Sequence, residues 1–301
     1  MLRRLVVTGT AKELRAIRVA IACSTIGVVA KFTVGFMTGS MSMISSAVDS
    51  VGDLLVSVAN LFVVRIAARE ADDDHNYGHA KLEGLGAMFE GGFIFAAAAF
   101  IIYEAVHKII VGEVSHDSTL GIYVMLPILA LTWATVLYLR KVAKQTGSVV
   151  VKADAVHYMA DVWVNVGVIV ALVLVKLTGK PVIDSVISII IALSMFRASW
   201  QIVREGFAIV MDESLDPPTV AKVRDLLASV GGIHSFHDLK TRVGKNPVVD
   251  FHIVVLPDTT ARDVHGVYLD LRVRIRAIVG PTALVLMHAD PLEAEEERQA
   301  G

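Results

Sequence analysis

Residues 42–64 read SMISSAVDSVGDLLVSVANLFVV, and residues 153–175 read ADAVHYMADVWVNVGVIVALVLV. Each stretch is apolar over about the 20 residues that a helix needs to cross a bilayer. Each also carries two ionisable groups four residues apart, Asp49 with Asp53 and His157 with Asp161. On a helix, residues four apart share a face about one turn from each other, so each pair presents two donors toward one point. Working outward, the chain offers six spans of this kind, near residues 17–37, 41–66, 82–110, 120–139, 156–177 and 182–203. The fold predicted for residues 1–208 is therefore a membrane, all-α domain of six transmembrane helices.

Composition agrees. The 301 residues are 54% hydrophobic and 19% charged, with a mean hydropathy of +0.62. A soluble domain is nearer a quarter charged, so the apolar excess calls for a lipid bilayer as partner. No basic stretch interleaved with aromatics points to nucleic acid. Cys23 is the single cysteine, which excludes a disulfide framework and a thiolate metal site. The first 18 residues carry charges on both sides of a short apolar patch and lack a small-residue cleavage site, so they do not read as a removed signal peptide.

Charge sets the expected orientation. Arg3, Arg4, Lys12, Arg15 and Arg18 precede the first span, and Arg65, Arg69 and Lys81 flank the second-to-third loop. Arg140, Lys141, Lys144 and Lys152 surround a connection expected between the fourth and fifth spans, around RKVAKQTGS. The other side has chiefly Lys108, Lys176 and Lys180, so both termini are expected in the cytoplasm. Lys31, inside the first span, is expected to snorkel to the outer interface.

Beyond residue 208 the pattern changes. Pro217 and Pro218 open a helical stretch, TVAKVRDLLASV. Strand-like HDLKTRVG and VVDFHIVVLP follow, then amphipathic ARDVHGVYLDLRVRIRAIV and strand-like TALVLMHAD. The order predicts an α+β (αββαβ) domain of the open-faced, ferredoxin-like kind over residues 209–292, with an acidic disordered tail at 293–301.

Two facing helices would supply one imidazole and three carboxylates. That set suits a tetrahedral divalent cation such as Zn²⁺, and its oxygen content leaves room for Fe²⁺, Cd²⁺ or Mn²⁺. Ionisable groups are costly in a bilayer and mark ion paths or proton relays, so the expected activity is metal transport. Glu90 and Asp184 are further acidic residues in apolar surroundings that spacing alone does not explain.

The motifs together resemble the cation diffusion facilitators, and within them the bacterial zinc and ferrous-iron efflux branch. The likeness rests on D-x3-D in the second span, H-x3-D in the fifth, DDDHNYGHAKLE after the second span, and the αββαβ tail. It implies a homodimer in the bacterial inner membrane that exports Zn²⁺, with Cd²⁺ or Fe²⁺ as further substrates, by alternating access in exchange for protons. It implies transport ligands at Asp49, Asp53, His157 and Asp161, and a second metal site at Asp72, His75 and His79. It also implies a binuclear site with structural or regulatory Zn²⁺ at the dimer interface of the C-terminal domain, matching His237, His252, His265, His288 and Asp290. Lys81 and Asp212 match a charge pair linking the two domains. This chain departs at Ala289, where relatives have an amide. The rival reading is a membrane metal sensor or scaffold that does not transport, but it needs only the C-terminal site. A zinc hydrolase needs an open coordination position and a general base, which this ligand set does not offer, so no enzyme is expected.

Overall fold

The computed structural model describes residues 2–38, 41–111, 119–180 and 182–292, and the acidic tail expected at 293–301 lies outside them. The side chains of residues 2–8, 38, 41–46, 48, 49, 119–125, 168, 169, 171, 172, 175, 176 and 184 are likewise outside the described set, which includes Asp49 and Asp184. The chain divides into two compact units, Val7–Phe207 and a second that begins at Ala208.

Among the described residues, six helices of 27 residues or more come first: α1 (Leu2–Thr38), α2 (Met41–Ala67), α3 (Leu82–Val111), α4 (Thr119–Thr146), α5 (Val149–Thr178) and α6 (Val182–Val210). Five described stretches, in α1, α2, α3, α4 and α6, are long and apolar enough to cross a membrane. The unit's largest buried cluster joins Ala16, Ile17 and Ala20 of α1 to Val136, Leu139 and Val142 of α4 and to Val150, Val151, Ala155 and Val162 of α5. Small residues let backbones close in elsewhere: a Cβ added to Gly91 of α3 would lie 2.8 Å from Val203 Cγ2 of α6.

The junction of α4 and α5 differs from expectation. Only Gly147 and Ser148 separate the helices, and Arg140, Lys141 and Lys144 are helical. Hydropathy marks where lipid ends, not where the helix ends, and Leu139 and Val142 continue the buried face past that point. Gly147 stops α4 at φ 71°, and its N–H donates to Ala143 O at 2.8 Å, the usual glycine exit from a helix.

The second unit contains α7 (Pro217–Ser229), β1 (Ser235–Arg242), β2 (Val248–Val255), α8 (Ala261–Val279) and β3 (Leu284–Pro291). Asp216 caps α7, and Thr260 with Asp263 forms a reciprocal capping box on α8. The strands lie in the order β1-β2-β3, with β1 antiparallel and β3 parallel to β2. Leu227 of α7 and Leu271 and Ile275 of α8 pack with Val249, Phe251 and Ile253 of β2. Because strand side chains alternate, both helices cover the Phe251 face and leave His252 on the opposite one.

Candidate metal centres

In the helical unit, α2 and α5 bring Asp53, His157 and Asp161 together. His157 Nε2 lies 3.1 Å from Asp53 Oδ1 and 3.9 Å from Asp161 Oδ2. The ring is nearly enclosed, with Phe93 of α3 and Tyr158 against it. Asp49 stands one turn before Asp53 on α2. The three described donors open on a cavity of about 460 Å³ walled by residues from all six helices, including Ser50, Phe93, Thr132 and Met195. One imidazole nitrogen and several carboxylate oxygens around a void form a donor set for a divalent, borderline-to-hard cation.

Spacing missed what lies beside this cluster. The Tyr158 hydroxyl meets Ser24 Oγ at 2.5 Å and Ser57 Oγ at 2.9 Å, and donates to Ala20 O at 3.0 Å. Asn60 Nδ2 donates to Glu90 Oε2 at 2.9 Å and reaches Asp154 Oδ1 at 3.4 Å, while Ser57 Oγ donates to Asp154 Oδ1 at 3.4 Å. Glu90 and Asp154 are fully buried. A buried carboxyl without donors is costly; Asn60 serves one oxygen of Glu90, while Glu90 Oε1 and Asp154 Oδ2 have no hydrogen-bond partner among the described residues. Asn165, by contrast, donates to the Asp161 backbone carbonyl at 2.7 Å.

Lys31 corrects its expected role. Its side chain lines the cavity, and its Nζ donates to Ser50 Oγ at 2.7 Å. A charged head turns inward when acidic and polar groups there replace the water it would find at the interface.

The loop before α3 gathers Asp72, His75 and His79. Asp72 Oδ1 lies 3.3 Å from His75 Nδ1, and Asp72 Oδ2 lies 3.3 Å from His79 Nε2. The backbone N–H of His75, 2.7 Å away, is the largest influence holding the Asp72 carboxyl below the usual range; desolvation opposes it, and the His75 and His79 imidazoles add to the lowering. His79 Nδ1 is buried without a hydrogen-bond partner among the described residues, and the trio fits a small cation.

In the second unit the sheet register makes the site. His237 of β1 is opposite His252 of β2, which is opposite His288 of β3, a row across all three strands. Their ring centroids are 5.0 and 4.9 Å apart in turn. Asp290, two residues along β3 on the same face, receives them all: Oδ2 lies 3.1 Å from His237 Nε2 and 2.9 Å from His252 Nδ1, and Oδ1 lies 3.1 Å from His288 Nε2. Desolvation disfavours the Asp290 carboxylate, but the His252 hydrogen bond and the charges of His252, His288 and His237 outweigh it and hold its pKa below the ordinary value. A bulge follows His237, where Asp238 adopts φ 51°. His237, His252 and Asp290 bring one donor atom each within 4.8 Å of one another, a set that fits a Zn²⁺ ion, and His288 meets the other oxygen of the same carboxylate. The structure does not bring His265 to this group: it lies on α8, beside Tyr268, and α8 packs on the Phe251 face. Asp212 pairs with Arg242 at 3.3 Å within the same unit, and Lys81 lies just ahead of α3 in the other.

A bundle of long apolar helices enclosing carboxylates and an imidazole defines a multi-pass membrane protein organised around a cation path. The comparisons name the class: the profile for the cation efflux transmembrane domain matches residues 17–211, and that for the cation efflux protein cytoplasmic domain matches residues 215–292. The chain belongs to the cation diffusion facilitator family, whose members are cation efflux transporters and not enzymes. It is 29% identical over 285 residues to the cation-efflux pump FieF of Shewanella oneidensis, covering 94% of this chain and 96% of that one. It is 30% identical over 283 residues to FieF of Yersinia pestis, covering 93% and 94%. A solved chain described as a candidate zinc transporter, CzrB, is 31% identical over 26% of this chain and 96% of its own, at a TM-score of 0.24.

Proposed function

We propose that this cation efflux transporter is an exporter of divalent metal, with Zn²⁺ as first substrate and Cd²⁺ and Fe²⁺ as others, working by alternating access in exchange for protons. The observation that supports it is the Asp53, His157 and Asp161 cluster open to an intramembrane cavity, with Asp49 one turn away on the same helix face. One nitrogen and several oxygens favour Zn²⁺ and Cd²⁺ more than an all-carboxylate site would. In this reading α5 is the sixth span, residues 1–208 form the membrane domain, and residues 209–292 form a ferredoxin-like cytoplasmic domain. The protein is a homodimer in the bacterial inner membrane with both termini in the cytoplasm.

Binding requires a neutral imidazole and ionised carboxylates, so metal displaces protons wherever those atoms carried them, and both cargoes compete for one set of atoms. Energetics favour more than one proton. Moving a divalent ion out against about 100 mV costs roughly 4.6 kcal/mol, while each entering proton returns about 2.3 kcal/mol plus about 1.4 kcal/mol per pH unit. Two protons per metal are clearly downhill. His237, His252, His288 and Asp290 would hold a Zn²⁺ that cross-links three strands and supplies regulation rather than chemistry. The Asp72 loop site is a way-station or structural.

The test is metal flux in proteoliposomes under a pH gradient, with Zn²⁺, Cd²⁺, Fe²⁺ and Mn²⁺ presented to wild type and to Asp49→Ala. Flux lost in the variant supports the reading. No flux of any metal from a folded, metal-binding protein moves the assignment to a sensor or scaffold.

A further inference from the structure

We propose that Lys31 is a built-in counter-cation of the transport site, and that it sets the site's affinity by competing electrostatically with the bound metal. The inference rests on the assignment of Asp49, Asp53, His157 and Asp161 as that site.

Two observations carry it. Lys31 is part of the cavity wall that also contains Asp53, His157 and Asp161. Its ammonium is held on α2 by Ser50 Oγ at 2.7 Å, and Ser50 stands between the two acidic positions of the Asp49 and Asp53 stripe. The ammonium therefore shares one cavity with acidic groups from both ligand-bearing helices.

Charge accounting shows what this does. Three carboxylates with one neutral imidazole would hold a divalent ion with one negative charge in excess, deep among apolar helices where net charge is costly. With Lys31 the loaded site is neutral, and the emptied site is left with a deficit smaller by one charge. Coulomb's law then fixes the sign: a fixed positive charge near a divalent ion weakens its binding and eases its release. A transporter needs binding weak enough to let go. A lysine that only positioned α2 would have the opposite effect when removed, because loosened ligands bind metal less well.

The test is Zn²⁺ and Cd²⁺ titration of the detergent-solubilised full-length chain, with His75, His79 and His252 changed to Ala so that the other two groups are silent. Lys31→Gln keeps a hydrogen bond for Ser50 but removes the charge; it is expected to bind about tenfold tighter or more, with slower flux in proteoliposomes. Lys31→Arg keeps the charge and is expected to stay close to the parent. Unchanged or weaker binding by Lys31→Gln, at an unchanged melting temperature, overturns the counter-cation. Should Lys31→Gln not fold, Lys31→Met is titrated to the same criterion, and failure of both to fold beside a normal Lys31→Arg overturns it in favour of a structural charge. Asp161→Asn separates the two layers: if it leaves binding intact, the transport-site assignment itself falls.

Discussion

In the helical unit the donors come from one residue in four along α2 and α5, whereas in the second unit they come from one residue in each of three strands, lined up by register. The first arrangement encloses its imidazole: the His157 side chain is 6% exposed, against 67% for His288 at the end of the row. Helical spacing puts two ligands a turn apart on a rod that can rotate or tilt as a body, so a small movement changes both donors together. A row across a sheet is fixed by the backbone ladder and opens to solvent at its edge. The first suits a cargo that must be gripped and released, the second an ion that stays.

That contrast can be broken most severely at Asp161. Asp161→Asn is expected to reduce metal flux in proteoliposomes to the liposome background while leaving Zn²⁺ binding by the second unit intact. Next in size, Phe251→Ala removes a fully buried ring from the face behind the row and is expected to destabilise the second unit by about 3–5 kcal/mol, read as an earlier denaturant midpoint. The row should disperse with it although no donor has been touched.

His252→Ala removes the middle of the row alone. It is expected to weaken Zn²⁺ binding there by at least about 10–100-fold, measured by titration, with the midpoint of metal-free unfolding nearly unchanged and flux kept within a few-fold. Flux lost in step with binding would make the second site essential to transport. His157→Asp replaces the nitrogen donor by oxygen; Zn²⁺ over Mn²⁺ discrimination in flux is expected to fall by about tenfold, and an unchanged ratio would remove His157 from the selectivity account.

Acid gives the smallest effect. The Asp216 carboxyl is held below its ordinary pKa by the Thr219 hydroxyl and N–H, and that of Asp263 by the Thr260 hydroxyl and N–H. The unfolded chain binds these protons at about pH 3.9 and the folded unit only lower. The stability they confer is therefore complete above about pH 4 and lost as pH falls through the folded values. Thr260→Val should flatten that acid slope in thermal unfolding by lowering the neutral-pH melting point, with the melting point in strong acid changing less.

The helical site was legible because two period-four pairs in apolar surroundings leave little else to explain them. The same period extends further than the pairs: Ser57 and Asn60 continue the Asp49 and Asp53 stripe, and Asp154 precedes His157 by one turn. That stripe is the signal by which the buried Glu90 network was legible, whereas Lys31 is the one charged residue of α1 beyond Arg18 and has no period to betray its direction. In the second unit the histidines were visible as candidates but their alignment was not, since register depends on the bulge at Asp238, a two-residue irregularity that no alternation predicts. His265 was visible as a candidate too, but its helix packs on the far face of the sheet, so within one chain it stands apart from the row. The short α4 to α5 turn was missed because hydropathy reports the solvent around a helix and not its hydrogen bonds.

The row of His237, His252 and His288 has one more consequence. Side chains on a strand alternate faces, so sliding β2 by a single residue against either neighbour would turn His252 inward and Phe251 outward. The sheet thus has no partly correct version of this site. Proofreading of strand alignment and assembly of the donors are the same event, and a chain that has folded with the wrong pairing identifies itself by having no place for the ion.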